Sequence, residues 1–318
     1  MSRKPTMFVT VDALYVQQRL DNFLLRHLKG LPKSRLYRII RKGEVRVNKG
    51  RIKPHYRLQL GDIVRIPPME YSDKPTKTPP SKNALTVLKN SVIFEDQELL
   101  VINKPSGMAV HGGSGINFGV IEGLRALYPN APYLELVHRL DRDTSGCLMI
   151  AKKPAILRQL HQLLRERKMQ KRYLALVKGQ WPTRLGCINA PLRKKNCPSG
   201  ERIVKVDPDG KKSRSYFTLK KRFAKAPVSV SLVEVKIVTG RTHQIRVHSA
   251  FAKHPVIGDS KYGDEKMNLK IQKMGCKRLF LHASSLIVTL ANREKPLELL
   301  APLPQDLKQL LKRLDENN

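Results

Sequence analysis

Residues 67–83, PPMEYSDKPTKTPPSKN, place the strongest constraint on how this chain can fold. Repeated prolines cannot continue a helix or sit in the middle of a sheet, and the stretch has no hydrophobic periodicity with which to bury a face. It reads as a connection between separately folded parts. The expected division is a small module at 14–68, a linker at 69–84 and a body at 85–318. A chain of 318 residues is long enough for two cores.

In the module, Leu20, Phe23, Leu24 and Leu28 recur at helical spacing, as do Leu36, Ile39 and Ile40. This predicts helices at about 18–28 and 33–41, the second preceded by Leu31-Pro32. Val45-Arg46-Val47, a turn at Asn48-Lys49-Gly50 and a strand at 63–66 are expected to follow. Lys33, Arg35, Arg38, Arg41, Arg46 and Lys49 fall on polar faces with Lys42, Arg51 and Lys53, and acids are nearly absent among them. A solvated face normally mixes signs; charge of one sign points to a polyanion. The stretch, with GEVRVNKGRIKPHYRLQLGD at its centre, resembles the S4 RNA-binding domain over 14–68. That resemblance implies that the helix pair and the hairpin after it lie on folded RNA.

The whole chain carries 61 Lys and Arg against 26 Asp and Glu, a net charge of +35, which makes nucleic acid the leading partner. The basic residues are dispersed and no apolar run reaches a membrane-spanning length, so membrane association is not expected. Residues 1–10 lack the apolar core of a signal sequence. Cys147, Cys187, Cys197 and Cys276 form no C-x-x-C pair, so neither a zinc site nor a disulfide framework is expected and a reduced cytoplasmic protein fits best.

The body opens with a strand pair at 91–94 and 99–103, then a helix near 120–127, an apolar run at 133–137 and a strand at 148–151. Leu157, Leu160, Leu163 and Leu164 predict a helix over 154–168. Period-two patterns at 173–177, 215–219, 228–238 and 279–290 predict strands with few helices between them. The fold class is therefore α+β: a mixed, largely antiparallel sheet with flanking helices, preceded by a small α/β module.

Chemistry concentrates in Val137-His138-Arg139-Leu140-Asp141-Arg142-Asp143-Thr144-Ser145-Gly146, where carboxylates alternate with arginines after an apolar run. A neighbouring guanidinium favours the ionised form of a carboxylate, as a nucleophile or base requires. Asp141 and Asp143 are equal candidates on this ground, and a surface turn with a solvated ion pair is the plain alternative. Four further clusters accompany it: Lys104-Pro105-Ser106-Gly107; His111-Gly112-Gly113-Ser114-Gly115, a possible nest for phosphate; Tyr173 among basic residues; and GRTHQIRVH over 240–248. Taken alone, Tyr173 is a core aromatic, and His243, His248 and His282 are structural histidines. Three enzyme classes can use such parts. Glycoside hydrolysis needs two carboxylates. A haloacid dehalogenase type phosphotransferase would use Asp141-Arg142-Asp143 with Gly258-Asp259 and magnesium, but Ser145 replaces the usual threonine and the alternating strand and helix rhythm is missing.

The third class unites the clusters. HRLD with Thr144-Ser145-Gly146, KPSG before it and GRTHQIRVH after it resemble the pseudouridine synthases of the RluA type, over about 88–303. The resemblance implies the pseudouridine synthase catalytic fold, with ribosomal RNA of the large subunit as substrate, no cofactor and no metal. By similarity Asp141 is the catalytic aspartate, Arg246 its pairing arginine and Tyr173 the active-site tyrosine that stacks on the base. Arg139 matches the arginine that fills the space left by a flipped uridine. Lys33, Arg35, Arg38, Arg41, Arg46 and Lys49 would contact RNA. No obligate protein partner is implied, and a monomer is expected. The competing non-enzymatic reading is an RNA-binding or ribosome assembly protein.

Overall fold

The structure, a computed structural model, describes residues 3–28, 30–70, 80–113, 118–196, 202–224 and 228–316. Two compact units part between Pro79 and Pro80. The first comprises β1 (Arg3–Lys4), β2 (Met7–Thr10), α1 (Leu20–His27), α2 (Lys33–Arg41), β3 (Arg46–Val47), β4 (Gly50–Arg51), β5 (Ile63–Ile66) and β6 (Met69–Glu70). The apolar stripes of both helices are buried with Val47, Val64 and Ile66 in one core. Asn48 and Lys49 both adopt positive φ between the paired residues Val47 and Gly50, a two-residue hairpin turn whose twist suits the strands. Asp62 fastens this turn by accepting from the Asn48 side chain at 2.8 Å and from the Tyr56 hydroxyl at 3.1 Å. Of the expected linker, 71–79 lies outside the described residues. Met69–Glu70 pairs with β1, and the next helix starts at Lys82.

The second unit comprises α3 (Lys82–Lys89), β7 (Val92–Glu95), β8 (Leu99–Lys104), α4 (Val120–Leu127), β9 (Glu135–Leu136), β10 (Ser145–Ala151), α5 (Pro154–Arg165), β11 (Gln170–Lys178) and β12 (Cys187–Asn189). It continues with β13 (Leu192–Asn196), β14 (Arg202–Val206), β15 (Arg214–Phe223), β16 (Val230–Ile237), α6 (Gln244–Phe251), α7 (Glu265–Lys273), β17 (Leu281–Val288), β18 (Leu297–Leu300) and α8 (Gln305–Glu316). One ten-stranded sheet runs β12-β15-β16-β11-β17-β10-β8-β7, with β18 on β17 and β9 on β10. Only β10 and β17 pair in parallel among its described strands; the remaining pairs are antiparallel.

Strand β10 is buried along its whole length, which explains its unbroken small and apolar sequence. Gly146 makes its parallel pairing possible. A Cβ there would lie 2.2 Å from the Ala283 carbonyl oxygen, and φ is +113°. The residues before β10 therefore emerge from the middle of the sheet, beside the end of β8, where Lys104 pairs with Gly146.

Candidate active site

The loop entering β10 is pinned before it turns. Val137 donates its amide to Met149 O at 3.0 Å, and the His138 ring accepts the Met149 amide at 3.2 Å. Burial depresses the His138 pKa to about 3, so this ring stays a neutral acceptor. The chain then reverses at Asp141–Thr144, closed by the Thr144 amide on Asp141 O at 3.2 Å. Buried Lys104 holds the turn from beneath, donating to the carbonyls of Pro105 (2.8 Å), Met108 (2.8 Å) and Arg142 (2.9 Å). Ser106 adds a hydroxyl bond to Asp143 O at 2.7 Å. The KPSG cluster is thus the support of the turn.

In a turn the two aspartates part. Asp143 pairs with Arg142 at 3.2 Å, whereas Asp141 faces Arg246 at 3.4 Å. Arg246, on the first turn of α6, is held chiefly by Asp259: Nε donates to Oδ2 at 2.7 Å and Nη2 to Oδ1 at 2.8 Å. Only Nη1 reaches Asp141. Burial works against the charge on Arg246, but the Asp259 hydrogen bonds and charge, then Asp141, raise its pKa. Burial likewise opposes ionisation of Asp259, and Arg246 with the amides of Lys261 and Tyr262 overrides it and holds the carboxyl low. Side-chain exposure grades along this chain from 0% at Asp259 through 6% at Arg246 to 26% at Asp141, so Asp141 is the member open to a ligand.

Arg139, Asp141, Tyr173, His243 and Arg246 line one small cavity that shares Arg139, Leu140, Asp141, Tyr173, Ile237, Gly240 and Arg241 with a cleft of about 590 Å³. A cleft of that size is in the range for a single small ligand, roughly 300–1,000 Å³. Arg139, Arg165, Lys171 and Arg241 make its walls basic. Tyr173 sits where β11 shifts register against β17, between Arg172 and Leu174. Such irregularities re-aim side chains beside functional sites. Burial, then the charge of Asp141, raises the Tyr173 pKa, so the phenol remains protonated at neutral pH.

The readings of Asp259, His243 and the glycine cluster change, and those of His248 and His282 do not. Asp259, weighed above as part of a magnesium motif, is a guanidinium partner, because both oxygens are engaged by Arg246 and by backbone amides. His248 is structural, bonded to Ser215 Oγ and Ala190 O, and His282 bridges Ser145 and Ala301 O. His243 is not merely structural: its Nε2 lies 3.9 Å from Asp141 Oδ2 and its Nδ1 2.8 Å from the Tyr262 hydroxyl. In the glycine cluster the Gly112 amide is taken by Glu122 and so is not offered to a phosphate, and Ser114 and Gly115 lie outside the described residues. Neither Asp259 nor Tyr262 was selected from sequence as a partner of Arg246. The only signal was an acid flanked by glycine and a tyrosine in GDSKYGD. In the first unit Lys33, Arg38, Arg41, Arg46 and Lys49 are exposed, and Arg35 is half-buried.

The sequence model of the RNA pseudouridylate synthase family matches residues 98–251, and that of the S4 domain matches 18–64. The solved structure of human RNA Pseudouridylate Synthase Domain Containing 4 superposes with a TM-score of 0.58 at 26% identity, covering 73% of this chain and 95% of that one. The chain belongs to the RNA pseudouridine synthase family, a family of isomerases, and it carries an S4 domain. Its likeness extends over nearly full length to two curated bacterial proteins, each called ribosomal large subunit pseudouridine synthase C. The Haemophilus influenzae protein is 53% identical over 94% of this chain and 92% of its own, and that of Escherichia coli strain K12 is 51% identical over 96% of each.

Proposed function

We propose that this protein converts specific uridines of the large-subunit (23S) ribosomal RNA to pseudouridine, with Asp141 carrying the chemistry. The substrate reading is supported by the names of the two bacterial relatives and by their identity across both units. The reaction breaks the bond from ribose to uracil N1 and forms one from the same ribose carbon to C5. C5 loses a proton and N1 gains one, so no electrons enter or leave. Asp141 serves it by attacking the ribose or the base, or by abstracting a ribose proton as the glycosidic bond breaks.

One observation carries the role of Asp141. It is the half-buried end of an otherwise buried chain, Asp259 to Arg246 to Asp141, and it lines a basic cleft. Arg246 is itself fixed, because Asp259 engages it at two points, and so it keeps a positive charge beside one oxygen of the carboxylate. Tyr173, a neutral phenol beside Asp141, presents a face on which uracil stacks rather than a phenolate base. Arg139 lies exposed on the cleft wall, where it fills the space of the extruded nucleotide. Extrusion costs a few kcal/mol, which binding to the phosphates offsets. Lys33, Arg35, Arg38, Arg41, Arg46 and Lys49 supply part of that binding from the S4 domain.

Asp141→Ala and Asp141→Asn should abolish pseudouridine formation on a 23S transcript while binding it with wild-type affinity. An Asp141→Ala protein that still converts uridine rejects the assignment. Pseudouridine mapping in a strain lacking the protein should show sites missing from the large-subunit RNA; an unchanged map there rejects the substrate.

A further inference from the structure

His243 is the first residue before α6 and holds a left-handed backbone, φ +54°. A non-glycine residue in that region is uncommon and strained unless its surroundings fix it. Here they do. Tyr262 Oη accepts the Val204 amide at 2.9 Å and lies 2.8 Å from His243 Nδ1. Having accepted one hydrogen bond, the phenol has its own proton to give, and Nδ1 is the acceptor placed to take it. When Nδ1 takes that proton, the neutral imidazole carries its own on Nε2, the nitrogen that faces Asp141 Oδ2. The same Tyr262 ring lies under the Arg246 guanidinium, 5.1 Å from its carbon, so one side chain positions both groups that face Asp141.

Arg246 Nη1 and His243 Nε2 converge on a single oxygen, Oδ2, at 3.4 and 3.9 Å. Among the described residues, Oδ1 accepts no hydrogen bond. The 3.9 Å separation is too long for a hydrogen bond, as donors around a reacting group often are before substrate closes the site.

We infer that His243 is a positioning residue for the isomerisation: a neutral Nε2–H donor, fixed by Tyr262, that joins Arg246 in holding Oδ2 of Asp141 and leaves Oδ1 as the acting oxygen. This rests on the reading of Asp141 given above. A carboxylate held by one donor can rotate about its terminal bond, whereas two donors on one oxygen set which lone pairs meet the ribose or base. Tyr262 acts at one remove, by keeping the proton on the correct nitrogen.

Single-turnover and steady-state kinetics on a 23S fragment, with RNA affinity and melting temperature measured alongside, test this. His243→Leu should lower kcat about 10- to 100-fold with KM and RNA affinity near wild type, the cost of a misplaced reacting group. His243→Gln, whose amide can present an N–H at a similar reach, should recover most of that loss. Tyr262→Phe keeps the ring under Arg246 and removes the hydroxyl, so it should lower kcat in the same way. A His243→Leu enzyme with wild-type kcat overturns the inference. So does a loss shared equally by Leu and Gln and matched by lower melting temperature or weaker binding. Asp141→Ala serves as the reference: if it is inactive while His243→Leu is fully active, only the role of His243 fails, and if it is active, the reading of Asp141 fails first.

Discussion

At the scale of single residues, the site is governed by one buried pair. Asp259 and Arg246 are nearly inaccessible, and breaking such a pair by removing one charge costs about 3–5 kcal/mol, because the other charge is left buried. Asp259→Asn should therefore lower the melting temperature and also reduce kcat, since Arg246 loses its anchor. The pair also predicts an acid limit. The Asp259 carboxyl is held below its ordinary value in the folded state, so its contribution is complete above the unfolded pKa of roughly 3.9. It is lost as pH falls through the depressed folded value. Urea titrations from pH 7 down to pH 2 should show wild-type stability declining below about pH 4, and the decline should be shallower in Asp259→Asn. The family resemblance nominated Asp141 and Arg246 as partners. Asp259 was not legible as the stronger partner, because GDSKYGD has no helical or strand periodicity and reads equally well as a solvated loop.

At the scale of elements, the turn 141–144 works because the end of β8 and the start of β10 are hydrogen-bonded neighbours. That register brings Lys104 under the turn, where burial lowers its pKa to about 7 and three carbonyls complete the shell of its ammonium. Lys104→Met keeps the length and apolar stem but removes the donor from all three acceptors. The expected loss is about 1 kcal/mol or more, with kcat falling as the turn loosens; a variant with unchanged melting temperature and kcat would show that the turn holds without it. The helices and strands expected at 18–28, 33–41, 120–127, 173–177 and 215–219 overlap α1, α2, α4, β11 and β15. The hairpin β13–β14 and helix α7 were not anticipated. Their sequences, LRKKN, RIVKV and EKMNLKIQK, are short and interrupted by charge, and their apolar residues gain a core only from neighbours: Val204 packs with Leu192 and Val247, and Ile271 enters the core around Phe280 and Leu307.

At the scale of the molecule, the two units have separate cores, one drawn from residues between Val11 and Met69 and the others from Leu88 to Leu314. Residues 80–318 should accordingly fold cooperatively when expressed alone, with a circular dichroism melt of their own; a truncated body that does not melt cooperatively would reject the division. With a net charge of +35, RNA affinity should fall steeply with salt as Lys and Arg neutralise phosphates. Replacing Lys33, Arg38 and Arg41 with Ala should flatten the slope of log affinity against log salt by about one for each phosphate that the protein no longer neutralises. An unchanged slope would place the RNA elsewhere. The sequence by itself pointed to a division into parts, to a polyanion as partner and to the residue types of the candidate site, because periodicity, prolines and charge are local properties that survive in one dimension. Only the tertiary structure decided that Asp141 and Asp143 take different arginine partners, that Asp259 anchors Arg246, and that Tyr262 sits against His243. The bonds that join Arg246 to Asp259 and Asp141, and His243 to Tyr262, span from 13 to 105 positions, and such pairings are fixed by how the strands and helices pack, which no local pattern records.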